Sequence, residues 1–126
     1  MTQTISSLMQ RVVCTVGMDD SVAEIEKLFA ERKLSWAPVM DADRNAIGVV
    51  SAVDLLKVHA QGRDPLAVPA WQLCSYKPIG VGIDTPVHEV ARLMVDRHVH
   101  HVVVTEDSTV VGVVSSLDFV RTFVRD

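Results

Sequence analysis

Val22, Ile25, Leu28 and Phe29 recur at helical spacing, while Glu24, Lys27 and Glu31 fall off that stripe. The pattern predicts a helix with one buried face. Val87, Val90, Leu93 and Met94 repeat it later in the chain. Two almost unbroken apolar runs follow the first helix, at 36–40 and 46–50 around a polar turn at 41–45. Their counterparts are 101–105 and 110–114, around a turn at 106–109. Such runs predict strands covered on both faces. A short β-branched run at 11–16 predicts an opening strand. Ser51 and Ser115 close the hairpins and open final helices at 52–59 and 116–124. Ser21 with Glu24 fits a capping box, and Thr85 is a good N-cap with Pro86 at the first helical position.

Each half therefore reads strand, helix, strand, strand, helix, because the sequence itself repeats. A shift of 65 lays Val16-Gly17-Met18-Asp19 over Val81-Gly82-Ile83-Asp84. One residue is lost at a turn, and a shift of 64 then lays Gly48-Val49-Val50-Ser51 over Gly112-Val113-Val114-Ser115, and Asp54 over Asp118. Repetition at this period fixes the architecture before any other argument. The organisation expected is repeat 1 at 1–58, a linker at 59–72 carrying Gly62, Pro65 and Pro69, and repeat 2 at 73–126. The fold class expected is α+β, with two pseudo-symmetric repeats packed sheet to sheet. A half of about 60 residues has a marginal core alone.

Composition narrows the function. A hydrophobic share of 48% supports a real core. A net charge of −4 with interspersed signs disfavours phosphate-backbone binding, and 5% aromatic content disfavours a single-stranded nucleic-acid platform. No stretch has the length of a membrane span, and residues 1–10 lack a secretion pattern, so a cytoplasmic protein is expected. Cys14 and Cys74 stand at non-equivalent positions with no C-x-x-C, which reads as two reduced thiols.

The sharpest local signal is Gly48-Val-Val-Ser51-Ala-Val-Asp54 and its match Gly112-Val-Val-Ser115-Ser-Leu-Asp118. A strand ends, a hydroxyl opens a helix, and a carboxylate follows three residues on. Free N–H groups and the macrodipole at such a junction favour an anion, and the aspartate can accept from two neighbouring hydroxyls, as on a ribose. The plain alternative is N-capping with an acidic first turn. Seen singly, capping is favoured; seen twice after the same strand, binding gains. His98, His100 and His101 invite a metal, but neighbours on a strand face opposite ways and no thiolate or carboxylate stands at zinc spacing, so no metal site is expected. No nucleophile elbow, paired histidine or phosphate loop supports catalysis, and the chain is expected not to be an enzyme.

These residues resemble the cystathionine-β-synthase (CBS) domain pair, or Bateman module, over nearly the whole chain. The motif of glycine, two aliphatics, Ser or Thr, two variable residues, Asp and an aliphatic is complete in both copies, ending in Asp54-Leu55 and Asp118-Phe119. The resemblance implies two clefts between the copies that take adenosine-containing ligands: AMP, ADP or ATP, S-adenosylmethionine, or NAD(H). It implies that Asp54 and Ser51 serve one cleft, and Asp118 and Ser115 the other. It places adenine near Cys14 and Ile79 and phosphates near His100 and His101. Ser35 and Trp36 replace those histidines in copy one, which implies unequal clefts and, through the histidines, pH-sensitive affinity. The expected role is regulatory, with an adenine nucleotide as ligand and no catalytic cofactor. A homodimer is expected through the apolar last helix (Phe119, Val120, Phe123, Val124), with a regulated partner left unnamed. The competing readings are a ligand-free pairing module and, more weakly, a nucleic-acid binder.

Overall fold

The computed structural model describes residues 3–11, 14–76 and 78–124. It is mixed α+β and divides into two compact units, one holding Cys14–Pro78 and the other Met1–Val13 together with Ile79–Asp126. The elements in chain order are a 3₁₀ turn (Ile5–Ser7), β1 (Gln10–Arg11), β2 (Val16–Gly17), α1 (Val22–Arg32), β3 (Trp36–Met40), β4 (Ala46–Ser51), α2 (Ala52–Ala60), α3 (Ala70–Leu73), β5 (Ser75–Tyr76), β6 (Gly80–Gly82), α4 (Val87–Arg97), β7 (His101–Glu106), β8 (Thr109–Ser115) and α5 (Ser116–Phe123). Residues 12 and 13 of the expected opening strand lie outside the described residues.

The unit of residues 14–78 has a sheet in the order β2-β3-β4-β5. Strand β2 runs parallel to β3, and the other pairs are antiparallel. Val16, Val39 and Val50 from the sheet and Val22, Ile25 and Phe29 from α1 are fully or nearly fully buried, which is the apolar stripe and the apolar strands meeting. The stretch expected as a linker is built into this unit. Val68 and Ala70 lie in the core, and the carbonyls of Val68 and Pro65 accept from Val22 and Ala23 at the start of α1. Those are helix-end donors that a loop must satisfy.

The other unit repeats the plan in the order β1-β8-β7-β6. Its core joins Ile5 with Val90, Met94, Val102, Val104, Val114 and Phe119. The N-terminal segment replaces an expected feature here. Helix α4 begins at Val87 with Pro86 as N-cap and no side-chain cap, so Thr85 does not cap it. The Val87 amide donates instead to Gln3 at 2.9 Å, and Thr85 accepts from Ile5 at 2.7 Å. On α1 the Ser21 side chain does accept from Glu24, as expected of its cap. In α5, Phe119 faces the core while Phe123 is exposed, so only the latter belongs to an outward surface.

Each sheet ends on a short strand that lies far from its partner in sequence. Gln10 stands opposite Val113 and Arg11 opposite Gly112, while Ser75 stands opposite Val49 and Tyr76 opposite Gly48. The twin glycines of the motif exist for this approach. A Cβ on Gly48 would lie 2.6 Å from the Ser75 carbonyl oxygen and 2.9 Å from Cys74 Sγ. A Cβ on Gly112 would strike the Met9 thioether and come within 3.1 Å of the Gln10 carbonyl oxygen. Glycine is the residue that lets a strand pass this near.

Candidate functional site

Both motif junctions fold as reciprocal capping boxes. The Ser51 side chain accepts from the Asp54 amide, and Asp54 Oδ2 accepts from the Ser51 amide at 2.8 Å and from Ser51 Oγ at 2.9 Å. Ser115 and Asp118 do the same at 2.7 and 3.1 Å. The local sequence makes this inevitable: the strand ends in extended backbone at the serine, and the carboxylate three residues on reaches back to its amide. Capping and binding are thus not exclusive. The box fixes each carboxylate by one oxygen and leaves the other to be used.

The expectation of free donors for a phosphate is corrected by the same geometry. The Ala52 amide donates to the Ser35 carbonyl at 2.8 Å, and the Ser116 amide to that of His100 at 2.9 Å. The third amide of each helix goes to its serine, and each serine hydroxyl gives its proton to the aspartate. Most of the N-terminal donors are committed inside the fold.

The two boxes differ in their second oxygen. Asp118 is only 7% exposed, and its Oδ1 accepts from Gln10 Nε2 at 2.9 Å. Arg121 stands 3.8 Å from the same oxygen but is largely exposed, so screening keeps that pair weak. Asp54 is half-buried, and among the described residues its Oδ1 has no hydrogen bond.

Register sets one residue opposite each capping serine. His101 pairs with Ser115 across β7 and β8, and Trp36 with Ser51 across β3 and β4. His101 is half-buried, and burial followed by repulsion from His100 lowers its pKa below the ordinary histidine value, against a smaller opposing pull from Asp118. His100 is exposed just before β7. His98 ends α4 in the left-handed region, so its place is set by the helix terminus. Cys14 is half-buried just before β2, in the unit of Asp54. Ile79 is in the unit of Asp118, half-buried before β6, and its carbonyl accepts from Val103 at 2.9 Å. Both cysteines are free, and burial pushes the Cys74 thiol up, which makes it a poor nucleophile. No group of three or more His, Cys, Asp or Glu among the described residues is placed to hold a metal ion. No helix among them is long and apolar enough to cross a membrane.

Gln10 carried no signal in the local sequence. Only its equivalence to Ser75 under the repeat marks it, and that says nothing until the ladder is known.

Comparison with known proteins adds three relatives. An uncharacterized protein of Methanopyrus kandleri is 26% identical over 119 residues, covering 93% of this chain and 61% of that protein. The chain spans less than two thirds of the length of the curated relatives it matches. A CBS domain pair crystallised in complex with 5′-methylthioadenosine and S-adenosyl-L-methionine superposes with a TM-score of 0.86 at 23% identity, covering 98% of this chain and 97% of the other. A hexameric CBS-CP12 protein from bloom-forming cyanobacteria superposes with a TM-score of 0.86 at 26% identity, covering 96% of this chain and 72% of the other. The model of the CBS domain matches twice, at residues 5–60 and 70–125, and the chain belongs to the CBS-domain family as a tandem pair.

Proposed function

We propose that this chain is a non-catalytic regulatory module that takes an adenosine-containing ligand at its twin capping boxes. One observation carries the reading: a carboxylate fixed through one oxygen, half-buried, with a second oxygen that takes no hydrogen bond among the described residues, as at Asp54. A ribose supplies a hydroxyl pair, and a preorganised acceptor loses little freedom on binding. The structural relative that carries 5′-methylthioadenosine and S-adenosyl-L-methionine supports the class of ligand. In this reading Asp54 and Asp118 hold ribose hydroxyls, and Ser51 and Ser115 hold the carboxylates in place. Cys14 and Ile79 flank the base. His100 and His101 meet phosphate where AMP, ADP, ATP or NAD(H) is the ligand. The ligand acts by favouring one conformation or association state over another.

The test is equilibrium dialysis and thermal shift with 5′-methylthioadenosine, S-adenosylmethionine, AMP, ATP and NADH. A ligand at a hundred times its dissociation constant adds about 2.7 kcal/mol of stability. No binding by any of the five overturns the proposal.

A second reading, a pairing module, has its own observation. Val53 and Leu56 on α2 and their repeat equivalents Leu117 and Val120 on α5 are each at least half exposed. Apolar residues repeated on the outward face of each helix fit a homodimer. Sedimentation velocity on Leu56→Glu and Val120→Glu checks it. An unchanged sedimentation coefficient refutes it.

A further inference from the structure

Under the repeat, Gln10 and Ser75 occupy the same ladder position, since Val113 and Val49 oppose them and are themselves equivalent. Their side chains differ in reach. Gln10 donates its amide to Asp118 Oδ1 at 2.9 Å, so both oxygens of that carboxylate are engaged. Among the described residues, Ser75 makes no hydrogen bond to Asp54 through its short side chain. Gln10 itself is exposed, so its amide can leave Asp118 and find water. A hydroxyl arriving at Asp118 must displace this amide, whereas one arriving at Asp54 meets an oxygen that none of the described residues occupies.

We propose that Gln10 is a built-in competitor for the ligand at Asp118, so that the Asp54 box fills at lower concentration than the Asp118 box. The proposal rests on the adenosine reading above and deepens it: one chain then responds to its ligand at two thresholds, set by a residue from the N-terminal strand. A hydrogen bond to a charged acceptor has the size to separate the thresholds by about tenfold.

The test uses the full chain and 5′-methylthioadenosine in isothermal titration. In an Asp54→Asn background, where the Asp118 box alone keeps its carboxylate, Gln10→Ser is expected to tighten binding about tenfold. In the reciprocal variant, Ser75→Gln should weaken the tighter site of the otherwise native chain by a similar factor, and it carries the test if Gln10→Ser does not fold. Native binding with neither change overturns the proposal and leaves the adenosine reading standing. Weaker binding by Gln10→Ser makes Gln10 a ligand contact and also overturns it. Absence of binding in every chain, the native one included, removes the adenosine reading and this proposal with it.

Discussion

Replacing Asp118 by alanine should cost more stability than replacing Asp54, although the two residues share a motif. Both substitutions remove the carboxylate half of a capping box while the serine still caps, and loss of the bonds from the serine to the carboxylate costs about 1 kcal/mol. Asp118 adds two contributions. Its Oδ1 accepts from Gln10 at 2.9 Å, a bond to a charged group worth about 1 kcal/mol net when its donor is at the surface. It is also 7% exposed, so truncation leaves a buried gap. Arg121 adds little from its exposed position. The expected losses are about 2–3 kcal/mol for Asp118→Ala and about 1 kcal/mol for Asp54→Ala. For a chain of 126 residues each kcal/mol moves the melting temperature by about 4 °C. Urea denaturation followed by far-UV circular dichroism measures the difference directly. Tryptophan fluorescence is the wrong probe, because Trp36 and Trp71 both lie in the unit of Asp54. Equal losses, or a larger loss for Asp54→Ala, refute the reasoning. The result also decides which acid suits binding studies: Asp54→Asn alters a proposed ligand contact with the smaller cost to the fold.

Two further outcomes follow from other contacts. Gly48→Ala drives a Cβ against the Ser75 carbonyl, which cannot yield without moving β5, and should cost about 2 kcal/mol; Gly112→Ala meets chiefly the flexible Met9 side chain and should cost about 1 kcal/mol, as thermal melts will read. Burial and His100 hold the His101 pKa below its ordinary value near 6.5, with Asp118 partly opposing and Arg121 beside Asp118. The unfolded chain then binds the proton more readily, so stability from the neutral imidazole is complete above about pH 6.5 and is lost as pH falls through the window down to the folded value. His101→Phe should flatten that slope between about pH 7.5 and 5.5, and an unaltered slope contradicts the assignment.

The residues that local pattern could reveal are those whose neighbours lie nearby in sequence. The stripe of Val22, Ile25 and Phe29 and the runs around Val39 and Val50 declare their elements because burial imposes a period. The capping boxes were equally legible, being closed within four residues. Strand β1 was not, because its pairing with β8 joins positions 10 and 113, and two residues of strand have no pattern to read. The contact of Gln10 with Asp118 depends on that pairing and was hidden with it. Thr85 illustrates the opposite failure: a sound local cap yielded to a backbone carbonyl brought in from Gln3. The stretch at 59–72 looked like a connector because Gly62, Pro65 and Pro69 dominate it, yet Val68 and Ala70 anchor it in a core. The free amides expected at each junction were misjudged for a physical reason: the fold had already committed most of them to carbonyls and capping serines.

The most direct measurement compares 5′-methylthioadenosine with its 2′-deoxy analogue in isothermal titration against the native chain and Asp54→Asn. A fixed carboxylate that reads a hydroxyl pair predicts at least about tenfold weaker binding of the deoxy compound by the native chain. It predicts that Asp54→Asn abolishes most of this preference at the tighter site. Equal affinity for the two compounds, in a chain that binds both, would contradict the account.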